Sequence, residues 1–206
     1  PEMAESAVRV FTVLGDSHAA PDLLWASAGK PWVSMVLDHV HSLGEPVVEH
    51  LLDGFGDVDA DARTLFIELL ERFKAKQAVP SLIEILEKGS QRNIEAAINA
   101  LGKISDERAL MSLVNLIEAG EHQWEGSICR ALIEIGETHP SATSEMIRDS
   151  IHRQGIRPIW LRVIGGLGRD NELDVLIAAA GHVDSEIRLA AISAAVTYGS
   201  RFPENL

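Results

Sequence analysis

Seven turn signals recur along this chain at a nearly constant beat. They fall at Gly15, Gly44, Lys74, Ser105, Gly136, Gly168 and Gly199, with successive spacings of 29, 30, 31, 31, 32 and 31 residues. Each follows an amphipathic stretch ending in an apolar residue and precedes a second stretch that opens with small or branched apolar residues. A fixed period of about this length marks a repeat architecture, in which each unit is one supersecondary element that cannot bury its apolar faces alone. In the clearest unit, Asn93 to Ile104 carries apolar residues at helical spacing, Ser105 to Arg108 forms the turn, and Ala109 to Ile117 resumes the pattern. Its neighbour repeats the plan with Leu65, Phe66, Leu69, Leu70 and Phe73, then Val79, Leu82, Ile83, Ile85 and Leu86. Both read as helical hairpins. The turn residues agree, because glycine tolerates the positive φ that closes a helix and the following Asp16-Ser17 or Asp106 can cap the next one. Strict apolar/polar alternation is nowhere sustained, so the fold should be nearly all helix.

Charge narrows the partners. The chain holds 18 Lys and Arg against 31 Asp and Glu, a formal charge of −13. Residues 1–60 carry 10 of the acids and only 2 of the bases. Such a surface repels phosphate backbones, which argues against nucleic acid. The single cysteine, Cys129, excludes an intrachain disulfide framework and a cysteine-built zinc site, and fits a reducing, cytoplasmic setting. No run reaches the length of a membrane span, and the N-terminus lacks the order of a secretion signal. The chain starts at Pro1 inside a helical pattern, and Arg201 to Leu206 is too short for a full second helix. The expectation is a piece of something longer, including the cytoplasmic part of a membrane-attached protein.

Several strings resemble a known family. Arg188-Leu189-Ala190-Ala191-Ile192 matches its first helix, Leu101-Gly102-Lys103-Ile104-Ser105-Asp106 its turn, and Ala78-Val79-Pro80-Ser81-Leu82 its second helix. Arg63, Arg157 and Arg188 each stand eleven residues before their turn position. The pattern is similar to HEAT repeats, specifically the shorter HEAT-like variety named after phycobilisome lyases, and it covers the whole chain. The resemblance implies an all-α, right-handed α-solenoid (superhelix) of about six to seven HEAT-like antiparallel helix hairpins. In that family, first helices lie on the convex side and second helices line a concave groove. The expected repeats lie near 1–28, 29–58, 59–89, 90–120, 121–154 and 155–183, with a partial one at 184–206, in a single domain over 1–206. Val33 in place of the arginine with Glu45-Pro46 in the second unit, and His139-Pro140 in the fifth, depart from the pattern and are expected to bend the stack.

Enzymes of this fold have residue requirements that can be checked. Deoxyhypusine hydroxylase uses His-Glu dipeptides to hold two metals, and none of the eight histidines here precedes a glutamate. Alkylpurine glycosylases need a basic groove with stacking aromatics, which the net charge opposes. His39 and Glu49-His50 lie on different helices and read as surface or capping residues, not ligands. Cys129 falls among core positions and reads as a buried, inert thiol. Gly165-Gly166-Leu167-Gly168 reads as close packing at a helix end, not as a nucleotide loop. No catalytic, cofactor-binding or metal-binding residue is therefore assigned. Bilin lyases share the repeat type, and Trp25 and Trp32 in the acidic N-terminal part could cradle a tetrapyrrole. Trp124 and Trp160 sit on first helices, where packing between repeats is the expected role. Two readings stand for Arg148, Arg153, Arg157, Arg162 and Arg169: a solvated helix face with a structural repeat arginine, or a dock for an acidic partner segment.

If second helices line a groove, their polar positions face a partner. In order these are Asp22 and Trp25, His50 and Asp53, Ser81 and Glu84, Ser112 and Asn115, Glu145 and Arg148, then Val175 and Ala178. The ladder runs from acidic through neutral to basic and then apolar. The expected partner-binding residues are Asp22, Trp25, His50, Asp53, Glu84, Asn115, Arg148 and His152. The expected function is a non-enzymatic protein-interaction scaffold. Its partner's basic segment would lie over the first repeats and its acidic part near Arg148 and His152. The alternative is a bilin lyase or chaperone-like accessory factor acting on a cofactor-bearing protein.

Overall fold

A computed structural model describes residues 16–169 and 172–201. Among these residues there are twelve α-helices and no strand. The fold class is therefore all-α, built of consecutive HEAT-like helix hairpins. Contacts divide the chain into two compact units, Pro1–Ile104 and Ser105–Leu206.

The N-terminal unit holds α1 (Ala20–Ser27), α2 (Val33–Ser42), α3 (Pro46–Gly54), α4 (Ala60–Arg72), α5 (Val79–Lys88) and α6 (Gln91–Ile104). The even-numbered helices are the first members of hairpins and pack side by side, α2 on α4 and α4 on α6, while α5 returns against α6. On α4, Phe66, Leu69 and Leu70 share one stripe at three- and four-residue spacing and are fully buried. Burying each such side chain contributes about 1.5–3 kcal/mol. Helix starts follow from local chemistry: the Asp59 carboxylate accepts hydrogen bonds from the Asp61 and Ala62 amides ahead of α4. Prolines in the first turns of α3 and α5 give up only an amide that no helical carbonyl could accept.

The turn positions explain the 31-residue beat. Gly44, Lys74, Ser105 and Gly168 all adopt positive φ, at 84°, 48°, 58° and 65°. Lys74 and Ser105 are the two non-glycine residues to do so among those described. Ser105 is held there by its hydroxyl, bonded to the Glu134 carbonyl at 2.9 Å and the Thr138 hydroxyl at 2.8 Å. Lys74 is exposed and has no such support. Left-handed backbone costs a residue with a Cβ about 1–2 kcal/mol, partly offset by the entropy glycine loses on folding. Lys74→Gly is therefore expected to raise the unfolding free energy by about 0.5–1 kcal/mol in urea titration. Ser105→Gly, which also removes two hydroxyl contacts, should bring no such gain.

The C-terminal unit holds α7 (Leu110–Glu118), α8 (Glu125–Thr138), α9 (Pro140–Gln154), α10 (Pro158–Leu167), α11 (Leu173–Ala180) and α12 (Ser185–Arg201). First helices again adjoin, α8 on α10 and α10 on α12, and the α10/α12 contact is the most extensive among the described helices. Gly165 makes it possible, because a Cβ there would stand 2.5–2.9 Å from backbone atoms of Ala194. The expected close packing of this glycine segment is what the structure shows.

Two expected turns need correction. Gly136 lies inside α8, which runs on to Thr138, and the chain turns at His139 before Pro140 starts α9. A Cβ at Gly136 would meet the Leu167 side chain at 2.6 Å, so this glycine packs against α10 instead of turning the chain. The real turn is fixed by the His139 ring, whose Nε2 bonds the Ser105 carbonyl at 3.1 Å. Gly199 lies inside α12, whose end is held by buried Tyr198 and by Arg201 donating to the Gly166 carbonyl at 2.8 Å. Gly15 and residues 202–206 lie outside the described residues.

Candidate functional site

The eight residues expected to contact a partner sit on second helices. Asp22 and Trp25 are on α1, His50 and Asp53 on α3, Glu84 on α5, Asn115 on α7, and Arg148 and His152 on α9. All are exposed except His50, which is half-buried and lies against His18 with ring centroids 4.1 Å apart and the rings tilted by 36°. Trp25 is 53% exposed, yet its indole N–H donates to Asp59 at 3.2 Å. Hydrogen bonds from the Ala62 amide and from Trp25 hold the Asp59 carboxyl below its ordinary range. Glu84 pairs with Lys88 at 3.0 Å and, with Leu52, Phe55 and Ser81, lines a cavity of about 290 Å³ between α3 and α5. In the C-terminal unit Arg148 and His152 line one cavity, whereas Asn115 does not border it.

The arginine cluster separates into two roles. Arg162 reaches Glu125 at 2.9 Å, and Arg157 donates to the Ile117 carbonyl at 3.1 Å. Arg153 pairs with Glu118 at 3.3 Å. Arg169 donates to the Pro140 carbonyl at 2.6 Å, to the Ser144 hydroxyl at 2.7 Å, and to the Gly136 carbonyl. These four tie helix ends and neighbouring helices together. The repeat arginines Arg63 and Arg188 act alike, bonding the Val58 carbonyl at 2.8 Å and the His182 carbonyl at 2.8 Å. Burial alone would raise the Glu125 carboxyl, but hydrogen bonds from His122 and Arg162 more than offset it and hold it low. Arg148 is exposed and makes no ion pair among the described residues.

Cys129, Trp124 and Trp160 belong to the core. The Cys129 thiol is buried, and desolvation pushes it above its ordinary range, so it is poorly suited to nucleophilic work. Trp160 is completely buried on α10. Trp124 is also buried, in the short 3₁₀ turn His122–Trp124 that precedes α8, not on the helix itself.

A cavity of about 400 Å³ lies between α9, α10 and α11. Ile147 and Ile151 from α9, Ile164 from α10, and Val175 and Ala178 from α11 give it apolar walls. Ile156, in the loop before α10, completes them. Arg148, His152 and Asp174 supply charge and hydrogen-bonding groups at exposed positions. Glu172 also lines the cavity, although only 7% of it is exposed. Its Oε1 accepts a hydrogen bond from the Ser144 hydroxyl, while its Oε2 is buried with no partner among the described residues. Sequence reasoning placed Arg148, His152, Val175 and Ala178 here but missed Glu172. The available signal was an acidic residue directly ahead of the almost wholly apolar run Leu173 to Ala180.

Residues 48–133 match the family model described as HEAT repeats. A comparison with curated proteins returns no match. The matched segment begins in α3 and ends in α8, and the paired helices before and after it follow the same plan of adjoining first helices and returning second helices. Residues 48–133 thus resemble HEAT repeats, within an all-α fold.

Proposed function

We propose that this chain is a non-enzymatic interaction scaffold that holds a protein or peptide partner against the outward side chains of its second helices. HEAT repeats commonly serve as protein-interaction scaffolds, and the observation that carries the reading is the apolar cavity between α9 and α11. Beside its walls, on α11, Ile177 is 64% exposed. Apolar side chains presented next to a concavity, with a charged rim, are what a docking partner desolvates first. The acidic excess of the N-terminal part favours a basic partner segment there and disfavours nucleic acid. No helix among the described residues is long and apolar enough to cross a membrane.

The repeat spacing of about 31 residues supports placing the chain with the phycobilisome-lyase variety of HEAT-like repeats. Under that placement the alternative is a bilin lyase or chaperone-like factor, and a tetrapyrrole whose absorbance changes on mixing would replace the scaffold reading.

Site-specific photo-crosslinking tests the proposal. A benzophenone amino acid at Ile177 or Arg148 should form a discrete protein adduct in cells, and one at the exposed first-helix positions Glu95 or Arg130 should not. Adducts that form equally at all four positions, or that nuclease removes, would overturn it.

A further inference from the structure

The buried carboxylate in the α9/α11 cavity specifies what the partner presents there. An acidic group withdrawn from water with one oxygen unpaired is costly, typically by several kcal/mol before relaxation. Glu172 stands immediately before α11, and the helix N-terminus favours its negative charge, but no side chain of the described residues donates to its Oε2. Ser144 is already engaged on both sides, donating to Oε1 while accepting from Arg169. Ile147, Ile151, Ile164 and Val175 line the same cavity as this carboxylate. The complement of such a site is an unbranched hydrocarbon chain that ends in a strong donor.

We propose that this cavity is a binding site for a lysine side chain of the protein partner, its four-carbon stem on the isoleucine walls and its ammonium donating to Glu172 Oε2. The chemistry rests on the cavity, and the source of the lysine rests on the scaffold reading above. Lysine fits better than arginine, because a compact ammonium can reach a single free carboxylate oxygen whereas a planar guanidinium fork is matched to two. Arg148 at the rim then favours an acidic residue beside that lysine, an ion pair that is worth little in energy but sets orientation. The expected acidic contact near Arg148 and His152 is thereby joined to a basic one deeper in the same cavity.

The test uses the full chain with methyl-labelled isoleucines and an acetylated, amidated pentapeptide with a central Glu-Lys pair. The same peptide with norleucine or acetyl-lysine in place of lysine serves as comparator. The lysine peptide should shift the Ile147, Ile151, Ile156 and Ile164 methyl signals and bind at least tenfold tighter than either comparator. Glu172→Gln should abolish that preference, and the peptide comparison needs no variant should Glu172→Gln fail to fold. Equal affinity for the three peptides, shifts confined to other isoleucines, or no binding at millimolar peptide would overturn the proposal. A norleucine peptide that binds as well as the lysine peptide removes lysine but leaves the surface in place. The surface itself is decided by cross-linking at Ile177.

Discussion

Gly165→Ala is expected to lower the unfolding free energy by about 3 kcal/mol or more, and the thermal midpoint by about 6–12 °C for a chain of this size. The reason is where the new methyl group would go. An ideal Cβ at this position stands 2.5 Å from the Ala194 carbonyl oxygen, 2.8 Å from its Cα and 2.9 Å from its carbonyl carbon. These are backbone atoms in the middle of α12, so no rotamer change relieves the clash. The two helices must separate along their whole contact, lifting Tyr198 out of the core and straining the hydrogen bond from Arg201 to the Gly166 carbonyl. Gly126→Ala is the control: nothing lies within 4 Å of its would-be Cβ, and it sits in the first turn of α8. That substitution should be neutral or stabilise by about 0.5–1 kcal/mol through helix propensity. A loss below 1 kcal/mol for Gly165→Ala would show that α10 and α12 are not in backbone contact.

The second large effect is at Trp160. It is the largest completely buried side chain, and Trp160→Ala should cost about 3–5 kcal/mol because the surrounding helices cannot collapse into the space. Trp160→Phe should cost far less than the lost volume suggests. The indole N–H of Trp160 is buried with no partner among the described residues, and removing an unsatisfied donor recovers about 1–3 kcal/mol of desolvation penalty. Denaturant titration of the two variants separates packing from polarity. Equal losses for Ala and Phe would mean that the indole N–H is satisfied in solution.

Much of the fold was legible because the same backbone requirement recurs. Gly44, Lys74, Ser105 and Gly168 share a left-handed turn, and the hydrophobic stripes around them repeat with it. The two misplaced turns share one ambiguity: glycine can reverse a chain or sit inside a helix, and sequence does not distinguish the uses. Gly136 serves contact with Leu167, and Gly199 continues a helix pinned at its far end by Arg201. The arginine cluster shows the same ambiguity. Arg153, Arg157, Arg162 and Arg169 look like a docking face in one dimension, yet they bind carbonyls and carboxylates of neighbouring helices, leaving Arg148 outward.

The outward positions of the second helices could be found by periodicity, since they are what remains once buried positions are assigned. Glu172 could not. Its meaning depends on Ser144, 28 residues earlier, and on walls contributed by Ile156 and Ile164, none of which a helical period relates to it. Placing that carboxylate requires knowing that α9, α10 and α11 enclose a space.

The most direct test of the hairpin arrangement that carries these surfaces is the backbone ¹³C chemical-shift profile of the full chain in solution. Left-handed values should appear at Lys74, Ser105 and Gly168, with unbroken helical values from Glu125 through Gly136 to Thr138 and from Ser185 through Gly199 to Arg201. Helical values at Lys74 and Ser105, breaks at Gly136 and Gly199, or extended values within α9 or α11 would contradict it.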